Sequence, residues 1–199
     1  MILNKTLDFS PLEISSEPFQ YFVSTKALSE SLSLMVLDWF EKDAPWKLVE
    51  TDFYEQYEFS FWDVQMPPHL TLLRQQPFLD WLKIRVQSLF ETELSTKIDV
   101  AAHRLIPGQR IRLHNDFIPG HETHRLLIQL NRGWRDENGG LLIFFNSSDP
   151  ADIHRIFRPT HNSAVGFAVS PKSNHAVSTI HGGDRFTLVY SFYGKSGNA

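Results

Sequence analysis

The chain has 199 residues, 42% hydrophobic and 13% aromatic, enough apolar material for one domain with a substantial core. A net charge of −4 and a pI near 6.1 argue against a general nucleic-acid binder, and no apolar run reaches the roughly 18 residues of a membrane span. With no cysteine there is no disulfide, thiolate site or thiol nucleophile, so any metal falls to carboxylates and the nine histidines.

Met1–Asp8 lacks the apolar stretch of a signal peptide, so a cytoplasmic address without membrane contact is expected. Residues 1–22 read as an extended leading segment interrupted by Pro11 and Pro18. A helix is expected from Ser24 to about Asp43, with Ser24 as N-cap. Ala27, Leu28, Leu32, Met35, Val36, Trp39 and Phe40 fall on one face, and Pro45 lies beyond the end. Residues 46–62 are dense in aromatics. The alternation Tyr57–Trp62 suits a strand, and part of the stretch is a candidate lid over a pocket. A second helix is expected from Pro77, suited to a first turn, to Phe90.

From Lys97 the texture changes to short alternating runs separated by Gly, Pro, Asn or Asp. Strands are expected near 98–106, 110–116, 123–131, 140–145, 153–158, 164–169, 174–180 and 184–193. About eight short strands after two helices indicate a mainly β fold, a jelly roll or related double-sheet barrel buttressed by the helices. One domain is expected over 1–199, with 1–96 as a helical and aromatic support region and 97–193 as the core. Lys195–Ala199 reads as frayed.

The chemistry concentrates in Arg110–Asp116. On a strand, His114 and Asp116 share a face, roughly 6.5–7 Å apart along the chain, and can grip one ion from one side. His175, opening a late strand, is the best third ligand. Two imidazoles and a carboxylate leave the opposite face free, as in non-haem Fe(II) oxygenases. Ten residues on, Arg185 and Thr187 share a strand face, where a guanidinium and a hydroxyl can hold a carboxylate.

The ordered set His114-x-Asp116, His175, Arg185 and Thr187 resembles the 2-oxoglutarate- and Fe(II)-dependent dioxygenases, most closely the prolyl 4-hydroxylase-like branch. Leu126–Asn131, Trp134 and Gly139–Phe145 resemble that branch's strand, Leu-Asn turn, tryptophan and Gly-Gly-x-Leu segment. The likeness covers about residues 97–193. It implies a double-stranded β-helix of the jelly-roll or cupin-like kind. It also implies that His114, Asp116 and His175 are the catalytic iron ligands and that Arg185 holds the distal carboxylate of 2-oxoglutarate. Thr187 would assist, and Gln129 stands where some members place a tyrosine on that carboxylate. The implied cofactors are Fe(II), 2-oxoglutarate as co-substrate and O₂, with ascorbate as a stimulant. The implied reaction hydroxylates an unactivated C–H bond of a prolyl, peptidyl or amino-acid-like substrate and releases succinate and CO₂. Asp116 separates this pattern from related halogenases, which lack the carboxylate. A non-catalytic cupin-like binding protein is the main alternative. A Zn(II) hydrolase or lyase is a third reading, in which Arg185 and Thr187 have no evident task.

Arg112 is expected to share the inward face with His114 and so to reach substrate. His121 and His124 are candidate substrate contacts or a second metal site on a loop, and Arg125 reads as an outer salt bridge. Trp134 and Gly139–Gly140 read as structural. His103, His154, His161 and His181 have no evident partner, and His181 suits a turn. The substrate is expected to be a small molecule, peptide or protein; the sequence gives no indication of oligomeric state.

Overall fold

The computed structural model describes residues 7–195. The expected extended course of residues 1–6 and the fraying of 196–199 lie outside them; Lys195 itself is tied to Glu93 by an ion pair of 2.9 Å. The element order is β1 (Leu12–Ser15), β2 (Tyr21–Ser24), α1 (Glu30–Lys42), β3 (Lys47–Glu50), β4 (Glu55–Ser60), a 3₁₀ segment (Pro68–Arg74) and α2 (Gln76–Phe90). There follow β5 (Leu94–Leu105), β6 (Ile111–His114), β7 (His124–Gln129), β8 (Leu142–Phe145), β9 (Ile153–Phe157), β10 (Ala164–Ala168), β11 (His175–Val177) and β12 (Arg185–Gly194). Each expected strand of the C-terminal half is present, with shifted ends.

The first helix starts later than its apolar spacing suggests. Ser24 ends β2, and its hydroxyl donates to the Lys26 carbonyl at 2.7 Å. The Asn162 side chain then takes both backbone polar groups of Leu28, each at 2.8 Å, which holds that residue outside the helix. Ser29 caps instead, accepting from the Leu32 amide. Glu30 in the first turn and Lys42 in the last suit the helix dipole. α2 carries Pro77 in its first turn and ends at Glu91 in a left-handed conformation.

The strands form two antiparallel sheets. The larger has the order β1-β2-β10-β7-β12-β5-β4-β3, the smaller β6-β11-β8-β9. This is the jelly-roll arrangement, with helices on the outer face of the large sheet. Along β12, Phe186, Leu188, Tyr190 and Phe192 join the core shared with α1 and α2, as do Val100 and Ala102 of β5 and Leu126 and Ile128 of β7. A second cluster, including Tyr21, Phe144, Val165 and Phe167, fills one end of the space between the sheets. The other end of that space is lined by the intervening residues of β5, β7 and β12.

Asn131 joins the turn after β7 to the start of β12. It is 1% exposed. Its Oδ1 accepts from the Phe186 amide at 2.7 Å, and its Nδ2 donates to the carbonyls of Pro159 and Phe186 at 2.9 and 3.2 Å. Asn131→Leu leaves the Phe186 amide buried without a partner. The expected loss is about 1–3 kcal/mol of stability, measured as a lowered denaturant midpoint with an unchanged slope.

Candidate active site

β6 ends at His114 and β11 opens on His175, and the two are directly paired. Their rings lie 4.2 Å apart. Asp116 is not on the strand. It sits two residues past the end of β6 with φ +59, a left-handed turn that carries its carboxylate back towards the two rings. His114 Nδ1 bonds the Arg112 carbonyl at 2.8 Å, and His175 Nδ1 bonds the Ser173 carbonyl at 2.7 Å. A carbonyl only accepts, so each Nδ1 donates its proton to the backbone and Nε2 is the ring atom left to face the pocket. These nitrogens point at Asp116: His114 Nε2 is 3.3 Å from one carboxylate oxygen, and His175 Nε2 is 3.1 Å from the other.

The three groups line a pocket of ≈ 270 Å³. Its polar wall comes from the large sheet. Arg185 and Thr187 of β12 face it, and Arg185 Nη1 donates to Thr187 Oγ1 at 2.9 Å. Thr187 Oγ1 donates in turn to Gln129 Oε1 at 3.0 Å, so Gln129 stands behind the threonine. Arg185 is 4% exposed, and its Nε–H has no partner. Burial lowers its pKa to about 10, so it still carries its charge at neutral pH. A buried cation with an open donor points to an anion.

Arg125 of β7 faces the same pocket. Its Nη1 lies 2.5 Å from Asp116 Oδ2, and its Nε and Nη2 face the two oxygens of Glu122. Burial pushes the Asp116 carboxyl up. The Arg125 cation and the hydrogen bonds with His114 and His175 outweigh it, holding the group well below the usual carboxylate range. His103 of β5 also lines the pocket; burial first, then the Arg125 and Arg185 charges, lowers its pKa to about 3, so it is neutral. The loop between β3 and β4 closes one side. Tyr54 bridges to Ile111, the Arg112 amide donates to the Phe53 carbonyl at 3.0 Å, and the Phe53 ring lies 4.9 Å from that of His114.

Residues 100–192 match the 2OG-Fe(II) oxygenase superfamily. The matched segment is just under half of the chain. The chain is 24% identical over 201 residues to the prolyl 3-hydroxylase sudestada1 of Drosophila melanogaster, an alignment covering 94% of this chain and 37% of the relative. It therefore spans just over a third of the length of that curated relative. Its fold is similar to a Pseudomonas putida prolyl-4-hydroxylase, with a TM-score of 0.71 at 17% identity over 88% of this chain and 93% of that one. It is also similar to a Trichoplax adhaerens prolyl hydroxylase solved with a hypoxia inducible factor peptide fragment, with a TM-score of 0.64 at 11% identity, covering 87% of this chain and 83% of that one. Among the described residues no helix is long and apolar enough to cross a membrane.

The superfamily uses Fe(II), 2-oxoglutarate and O₂, and the donor set fits them. His114 Nε2 and His175 Nε2 each lie close to one of the two Asp116 oxygens, at 3.3 and 3.1 Å, and one ligand atom from each residue lies within 4.8 Å of the others, close enough to share one ion. Two imidazole nitrogens and a carboxylate converging without sulfur suit a divalent cation such as Fe(II). The unpartnered Arg185 Nε–H suits the carboxylate of a small diacid.

Several expected contacts are displaced. The register between β6 and β11 shifts between Ile111 and His114, so these two line the pocket and Arg112 does not. Arg112 is exposed, with Nη1 reaching the Asp52 carbonyl at 3.4 Å. His121 is exposed in a turn closed by its amide on the Ile118 carbonyl. His124 shares the parity of Leu126 and Ile128, so it faces the helices, 4.7 Å from the Phe90 ring, and joins no metal cluster. Arg125 is the reverse case: an inward residue rather than an outer salt bridge. His103 was the other inward residue without an assigned task, and the two-residue period of β5 and β7 would have placed both. Trp134 is structural as expected, its indole donating to the Gly139 carbonyl at 2.9 Å.

Burial lowers the His124 pKa from 6.5 to about 4. The unfolded chain then binds more protons than the folded one between those values. The stability from keeping His124 neutral is present above pH 6.5 and is lost as pH falls towards 4. His124→Phe removes this dependence. Its stability relative to wild type should rise by roughly 1–2 kcal/mol between pH 7 and pH 5, read from urea midpoints at both pH values.

Proposed function

We propose that the chain is a 2-oxoglutarate- and Fe(II)-dependent hydroxylase acting on a prolyl residue of a peptide or protein. One observation carries the reading: two imidazole Nε2 atoms and one carboxylate converge in the same pocket that holds a buried arginine with an open N–H. The prolyl substrate is supported by the prolyl hydroxylases among the relatives and fold neighbours.

In this reading His114, Asp116 and His175 hold the iron. Arg185, with Thr187 supported by Gln129, receives the distal carboxylate of 2-oxoglutarate. When bound, the metal and co-substrate supply the oxidative decarboxylation that drives C–H hydroxylation, with release of succinate and CO₂. The protein orients and excludes water. Each Nδ1 bond to a backbone carbonyl fixes a ring so that Nε2 faces inward. Phe53, Leu127, Leu142 and Val177 give the pocket an apolar wall suited to a pyrrolidine ring and to a dry reaction. Residues 1–96 act as support: the helices cover the outer face of the large sheet, and the loop between β3 and β4 shields His114.

Anaerobic addition of Fe(II) and 2-oxoglutarate should give the visible charge-transfer band of the chelate. Asp116→Ala should abolish it, and a wild-type protein without the band would contradict the iron site. Arg185→Leu removes one partner of a buried charge pair, a loss of about 2–5 kcal/mol. The 2-oxoglutarate concentration needed to half-develop the band should rise by roughly 30-fold or more, while an unshifted titration would place the carboxylate elsewhere.

A further inference from the structure

The left-handed position of Asp116 poses a problem of aim. β6 fixes His114, and β11 fixes His175, but Asp116 lies beyond the strand. The rigid group that reaches it is Arg125. Glu122 grips the far side of that guanidinium through Nε and Nη2, which leaves Nη1 directed at Asp116 Oδ2. The pair is sheltered: side-chain exposure is 20% for Arg125 and 11% for both Glu122 and Asp116. A planar guanidinium pinned along its Nε–Nη2 edge keeps Nη1 in a set direction, which a flexible ammonium does not.

We infer that Arg125, pinned by Glu122, is a positioning residue that binds one oxygen of Asp116 and leaves the other for the metal. The inference rests on the iron-site reading above. Asp116 Oδ2 carries the Arg125 contact and lies 3.1 Å from His175 Nε2, while Oδ1, 3.3 Å from His114 Nε2, has no guanidinium partner. Asp116 would thereby offer the metal one oxygen, Oδ1. The arginine also withdraws charge from the carboxylate. In this chain the ionic series Glu122–Arg125–Asp116 does the aiming that a strand would have done.

The test uses Co(II) binding, followed by its visible absorption, and the anaerobic Fe(II)·2-oxoglutarate band in wild type, Arg125→Leu, Arg125→Gln and Arg125→Lys. Loss of a partner behind a ligating carboxylate typically weakens metal binding by about 10–100-fold. That loss is expected in the Leu and Gln variants, with partial recovery in the Lys variant. The band of the Leu and Gln variants should move to longer wavelength, because a carboxylate freed from the guanidinium is the stronger donor. A purely structural role would not move the band. Co(II) affinity within twofold of wild type in the Leu and Gln variants, or tighter, overturns the inference while leaving the iron site standing. Absence of Co(II) binding by the wild type overturns the iron-site reading and this inference with it.

Discussion

The two-residue period of the large sheet is the constraint on which the site depends. Along β12 the sequence Arg185-Phe186-Thr187-Leu188 sends alternate side chains to opposite solvents, one a helical core, the other a polar pocket. β7 and β5 obey the same rule, so Arg125 and His103 arrive on the pocket face without any loop to place them. A one-residue slip in β12 would bury Phe186 among charges and press Arg185 into the helices, so hydrophobic burial on one face fixes the register of the chemistry on the other.

The small sheet and the loops complete what the large sheet begins. Pairing of β6 with β11 sets the two imidazoles side by side, and backbone carbonyls choose their tautomers. The result is a cluster of two imidazoles and a carboxylate with the composition and spacing to hold a cation. The second requirement, for an anion, comes from Arg185, which keeps its charge in a place where burial opposes it. The pocket thus offers a cation site at one point and an anion site at another, the two features on which the proposed 2-oxoglutarate chemistry rests.

Much of this was legible in the residues. Alternation, turn residues and spacing gave the strand sequence of the C-terminal half, and His114, Asp116, His175, Arg185 and Thr187 all line one pocket. What sequence reasoning misplaced has physical causes. Ser24 and Ser29 are equally good caps by composition, and the choice between them was made by Asn162, 134 residues from Leu28 in the chain. Arg112 was assigned inward by simple alternation, but a register shift between Ile111 and His114 reversed it. Asp116 reached its partners through a left-handed turn that no spacing rule announces. Arg125 and His124 were exchanged in role because the parity of β7 was not followed from Gln129 backwards.

The measurement that tests the account most directly is turnover with isotopically labelled O₂. Purified protein, Fe(II), 2-oxoglutarate and a pool of proline-containing peptides are analysed together for succinate and for peptide mass. The account predicts one labelled oxygen in a prolyl residue of the product peptide for each succinate formed in the coupled reaction, both lost in Asp116→Ala. Iron bound by the wild type with no peptide oxidised and no succinate formed would contradict it.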